Sequence, residues 1–362
     1  MQFHDLRYIL AYLVPACAAA GLALRGPWAW LTPAFVFGLV PLLELWSAAH
    51  RAGPGAPATA GRAHHLFFDT LLYGNVPLHL SLVGGLMWVT THTALTHWET
   101  AGLVFSLGIC CGALGINVAH ELGHRPRRYE QLLAQTLLLS TLYLHFFIEH
   151  NRGHHRHVAT PHDPATARLH EPFWHFLPRA VWGEYRSAWQ LEHERLRRQQ
   201  RPAVSWANQM LQFQLAQGAL VLAVGLVAGP TALLAWLGAA AIGVLLFQLV
   251  NYVEHYGLLR QRNATTGVYE RVQPQHSWNS EHALGRILLY ELTRHSDHHY
   301  LASRPYHTLR YQPASPQMPT GYPGMMLLAT LPPLWFRTMN PRLPLAGYSE
   351  PKAAESGSAV QP

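Results

Sequence analysis

A chain of 362 residues with 49% hydrophobic and only 12% charged side chains falls well short of the roughly 25% charge usual in soluble domains, which argues against a soluble protein and for one built into a bilayer. The net charge of +7 rests on arginine, with Lys352 the sole lysine, and the arginines sit in connections between apolar runs rather than on one compact basic face, which argues against nucleic-acid binding. Cys17, Cys110 and Cys111 all lie in apolar runs without C-x-x-C spacing, which excludes a disulfide framework and an iron–sulfur or rubredoxin-type site in this chain. A mean hydropathy of +0.03 hides two kinds of segment, long apolar runs and Arg- and His-rich connections.

Seven runs come near the roughly 20 apolar residues that cross a hydrocarbon core of about 30 Å. They are 6–24, 28–48, 71–89, 100–118, 131–148, 210–227 and 232–253. The first begins like a secretory signal, but a second run follows almost at once without a persuasive cleavage site, so it is expected to remain as a span. Arg25-Gly-Pro27 and Gly229-Pro230 read as tight links between antiparallel helices. Seven crossings would put His120 and His150 on opposite sides of the bilayer, where they cannot share a site. The run 131–148 is therefore expected to bend back to the face it left, which leaves six spans.

Twelve arginines lie between residues 125 and 201, and neither Arg nor Lys lies between 91 and 99. The positive-inside rule then places 120–201, and everything after His255, in the cytoplasm. From 171 to 201, Phe173, Trp174, Phe176, Trp182, Tyr185 and Trp189 alternate with arginines, the pattern of an amphipathic cover helix in the headgroup layer more than of a dedicated docking face. The Gly-, Pro- and Ala-rich stretch 53–63 reads as a flexible loop and 349–362 as a disordered tail. Residues 1–348 are thus expected to form a single all-α membrane domain, six transmembrane helices beneath a cytoplasmic-side helical cap.

Chemistry gathers in four stretches. His120 and His124 stand one turn apart on one face at the end of an apolar helix, so they can bind a metal together. His150, His154 and His155 repeat the arrangement with one more ligand, His295, His298 and His299 repeat it at spacings of three and four, and His255 closes the last span. Nine imidazoles are too many for one tetrahedral zinc and suit two metals with four or five nitrogens each. Glu121, Glu149 and Glu254 adjoin these histidines and Asp297 lies inside the last cluster, where carboxylates are expected to hold the outer N–H of a ligand ring. A bridging carboxylate is the less favoured role. His120-Glu-Leu-Gly-His124 also fits the zinc protease pattern H-E-x-x-H with Glu121 as general base, but that reading leaves most of the other histidines unused. His64, His65, His79, His92, His97, His157 and His162 read as interfacial or capping residues, His276 and His282 stand close in sequence to the last cluster, and Glu44 reads as a snorkelling helix-end group.

On these residues the chain resembles the integral-membrane alkane 1-monooxygenases. The resemblance is carried by His120-Glu-Leu-Gly-His-Arg125, Phe147-Ile-Glu-His-Asn-Arg-Gly-His-His-Arg156 with Asp163-Pro-Ala-Thr166 behind it, Asn251-Tyr-Val-Glu-His-Tyr-Gly-Leu258, His276-Ser-Trp-Asn-Ser280, Arg294-His-Ser-Asp-His-His299, and Pro319-Thr-Gly-Tyr-Pro323 leading to Met339-Asn-Pro-Arg342. It implies that the nine histidines hold two irons, that a channel rises between the helices from the bilayer, and that one atom of O2 enters the terminal C–H bond of an alkane. It further implies electrons passed from NADH through a reductase to rubredoxin on the cytoplasmic face, and residence in a bacterial inner membrane. Arg125 stands where the family usually has Lys, Thr293 where Gln is common and Tyr300 where Ala often follows the last histidine.

An unactivated primary C–H bond offers no charge to polarise and no proton to remove, so hydrolytic or acid–base machinery does not fit it, whereas O2 chemistry at iron does. The resemblance places Val36 on the channel wall, where a small side chain leaves room for a longer alkane. The arginine-rich connection would favour an acidic redox partner, although setting topology explains it equally well. Alternatives are a fatty-acyl desaturase, a hydroxylase of another apolar substrate such as an aromatic methyl group, and a metal transporter or metal-binding protein with ligands ranged along a transmembrane path.

Overall fold

The computed structural model describes residues 3–47 and 66–344, so the expected loop at 53–63 and tail at 349–362 lie outside the described residues. Among the described residues six helices are long and apolar enough to cross a membrane: α1 (Asp5–Leu24), α2 (Gly26–Trp46), α3 (Leu66–His92), α4 (His97–Gly123), α8 (Gln209–Val227) and α9 (Gly229–His255). Between them lie α5 (Arg128–Ser140), α6 (146–157) and α7 (Phe173–Arg198). The short helices α10 (Ala283–Leu288), α11 (His295–Tyr300), α12 (Tyr322–Ala329) and α13 (Pro332–Met339) follow α9. Among the described residues no strand forms beyond two isolated bridges.

The links at one end of the bundle are short because local chemistry closes them. Arg25 and Gly26 both adopt left-handed backbone at φ 57° and 52°, and the Gly26 N–H donates to Glu99 Oε1 at 2.8 Å. Glu99 also completes a capping box with Thr96 at the start of α4, satisfying donors that would otherwise face the bilayer edge. Gly229, at φ 80°, turns α8 into α9. The C-termini of α2, α4 and α9 therefore share the opposite end, and the connecting segments cap it.

The seventh apolar run does bend back. α5 stops in a Schellman turn in which Leu142 N–H bonds Leu139 O at 3.1 Å and Tyr143 N–H bonds Leu138 O at 2.8 Å. The left-handed position is Leu142, at φ 56°, a conformation that costs an L-residue about 1–2 kcal/mol. The reversal delivers α6 to the end of the bundle where α4 finishes.

Small residues set the close contact of α4 with α9. A Cβ on Gly243 would fall 2.5 Å from Cys111 Cβ, and one on Gly108 would fall 2.4 Å from Ile242 Cγ2, so only glycine lets these helices approach. Over them lies α7, which buries Phe173, Phe176, Ala180, Glu184, Ala188, Glu192 and Leu196 at helical spacing and leaves Trp174 and Trp182 exposed. It is the amphipathic cover helix its sequence pattern implies.

Candidate metal centre

All nine histidines converge at the cap end of the bundle, in two groups. His120, His124, His150, His155 and His298 form one, and His154, His255, His295 and His299 form the other; within each group the ligand-capable atoms lie within 4.8 Å of one another. In the first group the Nε2 atoms of His120 and His298 are 2.9 Å apart, those of His155 and His150 3.0 Å and those of His298 and His155 3.2 Å. In the second, His299–His295, His295–His255 and His154–His299 are 2.8, 3.2 and 3.2 Å apart. Imidazole nitrogens held about 2.1 Å from one ion in neighbouring positions stand about 3 Å from each other, so both groups have the spacing of a ligand shell.

Burial, and then the neighbouring rings, push His150, His155, His295, His298 and His299 well below the usual imidazole range. Neutral imidazole is the form that binds metal, and nine charged rings could not crowd together at these distances.

The grouping departs from helical expectation in one respect. His120 with His124, and His295 with His299, pair across one α-turn as their spacing implies. His150 pairs instead with His155, five residues on, while His154 joins the other group. The cause is a π-turn over His150–His154, in which the His155 N–H reaches His150 O. That wider turn aligns residues i and i+5, and π-turns of this kind recur at functional sites. α6 and α11 therefore each supply ligands to both groups.

The four carboxylates expected behind the ligands divide differently. Glu254 Oε2 lies 3.2 Å from His295 Nε2, the nitrogen that faces the other histidines, and its Oε1 accepts from Tyr322 at 2.8 Å, so it borders the second group rather than holding an outer N–H. The other three serve other partners. Glu121 accepts from Arg125 at 2.8 Å and from the Tyr306 N–H at 3.2 Å, Glu149 from Ser187 at 3.1 Å, and Asp297 from Arg304, the Arg310 N–H and Gln312.

The carboxylate that does orient a ligand is Asp163, whose Oδ2 meets His154 Nδ1 at 3.0 Å and is itself fixed by Thr166 at 2.6 Å. Its only sequence signal was its place in the Asp163-Pro-Ala-Thr166 turn. Asp163→Asn is expected to weaken metal retention or activity by roughly 10–100-fold, as loss of an outer partner generally does. Metal content after graded chelation checks it; wild-type retention would show that His154 needs no such support.

Other histidines lie apart from the two groups. His276 bonds Glu270 at 3.1 Å and caps Gln273, His282 bonds Ser280 and His79 bonds Ser140. His64 and His65 fall outside the described residues. Glu44 does not snorkel. It is fully buried, accepts from the Gly285 N–H at 2.9 Å and lies so close to Gly321 that a Cβ there would fall 1.9 Å from Oε2. It thereby ties α2 to the cap.

An apolar cavity lies between α2, α4 and α9 below the histidines, and Val36, Gly112, Phe247 and Val250 are among its walls. Val36 and Gly112 lie in two further π-turns, Ala34–Leu39 and Cys111–Ile116. Asn117 and Leu292 line both this cavity and a smaller one that touches His120, Glu121 and His298. Asn117 and Leu292 thus stand between the apolar space and the pocket that His120 and His298 line.

The sequence matches known proteins over most of its length. The family model for fatty acid desaturases matches residues 96–328. Alkane 1-monooxygenase 2 of Pseudomonas aeruginosa is 39% identical over 321 residues, 87% of this chain and 84% of that protein. Alkane 1-monooxygenase of Pseudomonas putida is 38% identical over 343 residues, 93% and 84% of the two chains. The xylene/toluene monooxygenase hydroxylase component of Pseudomonas putida is 29% identical over 334 residues, 91% and 86%. With 38–39% identity over most of this chain and most of the two alkane 1-monooxygenases, the chain belongs to the alkane 1-monooxygenase family.

Proposed function

We propose that this protein is a membrane non-haem di-iron monooxygenase that converts n-alkanes to 1-alkanols with O2 and electrons carried by rubredoxin from an NADH-dependent reductase. The balance is alkane, O2, NADH and a proton giving alkanol, water and NAD⁺. The observation that carries this reading is the pairing of five- and four-imidazole groups with an apolar cavity that shares Asn117 and Leu292 with a pocket touching one of them. The two histidine groups would each hold an iron, which when bound would supply the O2 activation that an unreactive C–H bond requires.

The chain's own residues bind, orient and exclude water. Val36, Phe247 and Val250 offer a hydrocarbon no polar partner, so it lies lengthwise. Leu292 and Asn117 stand where its end meets His120 and His298, which favours attack at a terminal carbon. Widening or narrowing the far wall then sets chain length. Val36→Trp is expected to shift the preferred alkane to shorter chains in a competition assay across lengths, and an unchanged profile would remove Val36 from the channel.

The cap lies on the cytoplasmic side of a bacterial inner membrane in this reading, since twelve arginines between 125 and 201 crowd that end. The same charge suits an acidic redox partner. A zinc protease is disfavoured because Glu121 is held by Arg125 at 2.8 Å and is not free to act as a base. A transporter is disfavoured because every ligand sits at one end of the bundle. The test is metal analysis of purified protein together with an O2-dependent assay using rubredoxin, reductase, octane, an aromatic methyl substrate and an acyl thioester. Iron with 1-octanol formation supports the proposal; desaturated thioester or oxidised methylarene without octanol would replace it.

A further inference from the structure

A second groove runs between α7, the α5–α6 reversal and α9. Leu177 and Val181 of α7 and Leu237, Ala241 and Leu245 of α9 form apolar walls, and Tyr143 and His145 stand at its head. From Leu237 to Leu245 the groove follows roughly 12 Å of α9.

The polar groups at its head are not equally free. Tyr143 donates to Glu184 and accepts from Gln248, and Thr141 donates within its own turn. His145 is only 7% exposed, and its Nε2 is buried with no hydrogen-bond partner among the described residues. Leaving such an atom unpaired is costly unless a ligand satisfies it. Burial lowers this imidazole to about 4, so the ring is neutral and can donate from one nitrogen and accept at the other.

We infer that the groove binds a long-chain primary alcohol, with its hydroxyl on His145 and its tail along α9. One hydrogen-bonding group at the end of an apolar trough matches one hydroxyl at the end of an alkyl chain. A plain alkane would leave His145 unpaired. A phospholipid would bring a phosphate to a groove whose lining holds no Arg or Lys.

The position fits a product vestibule. Phe247 lines the alkane cavity, and its ring meets those of Phe146 at 4.9 Å and Tyr143 at 6.3 Å between centroids. A single aromatic layer thus separates the space where an alkanol would form from the groove. The identity of the alcohol as product rests on the hydroxylase reading, whereas the binding site does not.

The test is photolabelling of the full-length protein in nanodiscs without turnover. The probes are a decanol-length 1-alkanol bearing a tail diazirine, the matching alkane and a diazirine-tailed phosphatidylglycerol. The alkanol probe is expected to label 177–181 and 237–245, to be displaced by 1-decanol, and to bind about tenfold more weakly in His145→Phe, as loss of one hydrogen bond implies. Ala241→Trp, at an exposed position on α9, is expected to block labelling without altering His145. Equal labelling by alkane, or unchanged labelling in His145→Phe, would overturn hydroxyl recognition. Labelling by phosphatidylglycerol that decanol cannot displace would make the groove a lipid-tail site and also overturn the inference. Absence of alkane turnover with decanol labelling intact would leave the binding site standing and end its role as a product vestibule.

Discussion

His298→Ala is expected to lose both metal and alkane oxidation, by more than the roughly 10–100-fold that follows loss of an outer partner. The His298 Nε2 faces two other donors of the five-histidine group, 2.9 Å from His120 and 3.2 Å from His155. Its removal deletes one donor and enlarges the small pocket that Asn117 and Leu292 share with the apolar cavity. Metal content per protein and O2-dependent 1-octanol formation read the effect. The matched control is His276→Ala, whose ring bonds Glu270 away from both groups and is expected to keep its metal. A His298→Ala protein with full metal and full activity would show that the five imidazoles are not a ligand shell.

Arg125→Leu is expected to destabilise the fold by about 3–5 kcal/mol, the usual cost of leaving buried carboxylates without their cation. Arg125 reaches Asp69 of α3 at 3.0 Å and Glu121 of α4 at 2.8 Å, and lies 3.6 Å from Glu130 of α5, so one guanidinium fastens three helices directly beside His124. Arg125→Lys is expected to fall between wild type and Arg125→Leu, because an ammonium cannot hold Glu121 through Nε and Nη2 while Nη1 reaches Asp69. Thermal unfolding in detergent orders the three proteins. Equal melting of wild type and Arg125→Leu would mean that the carboxylates are satisfied by water.

Much of this architecture was legible before any coordinates. Hydrophobic run length located all six spans, and the need for His120 and His150 to share a face identified the one run that turns back. The turn itself was not legible, because Thr141-Leu142-Tyr143 carries neither Gly nor Pro and Leu142 adopts its left-handed backbone under tertiary constraint. The nine candidate ligands emerged from cluster spacing and family resemblance, and the structure brings all of them together. Their division did not emerge, since a π-turn has no signature in composition and α-helical spacing wrongly couples His150 to His154. Adjacency in sequence also misled for carboxylates. Glu121, Glu149 and Asp297 sit beside ligands yet serve Arg125, Ser187 and Arg304, while Asp163 reaches His154 only because the chain folds back over nine residues.

The interleaving of α6 and α11 also bears on how the protein acquires its ions. Because each of these helices contributes to both groups, the first ion captured would immobilise part of the second cage and lower the entropy lost when the next arrives. Loading should therefore be cooperative, with singly occupied molecules scarce at every stage of an anaerobic ferrous titration.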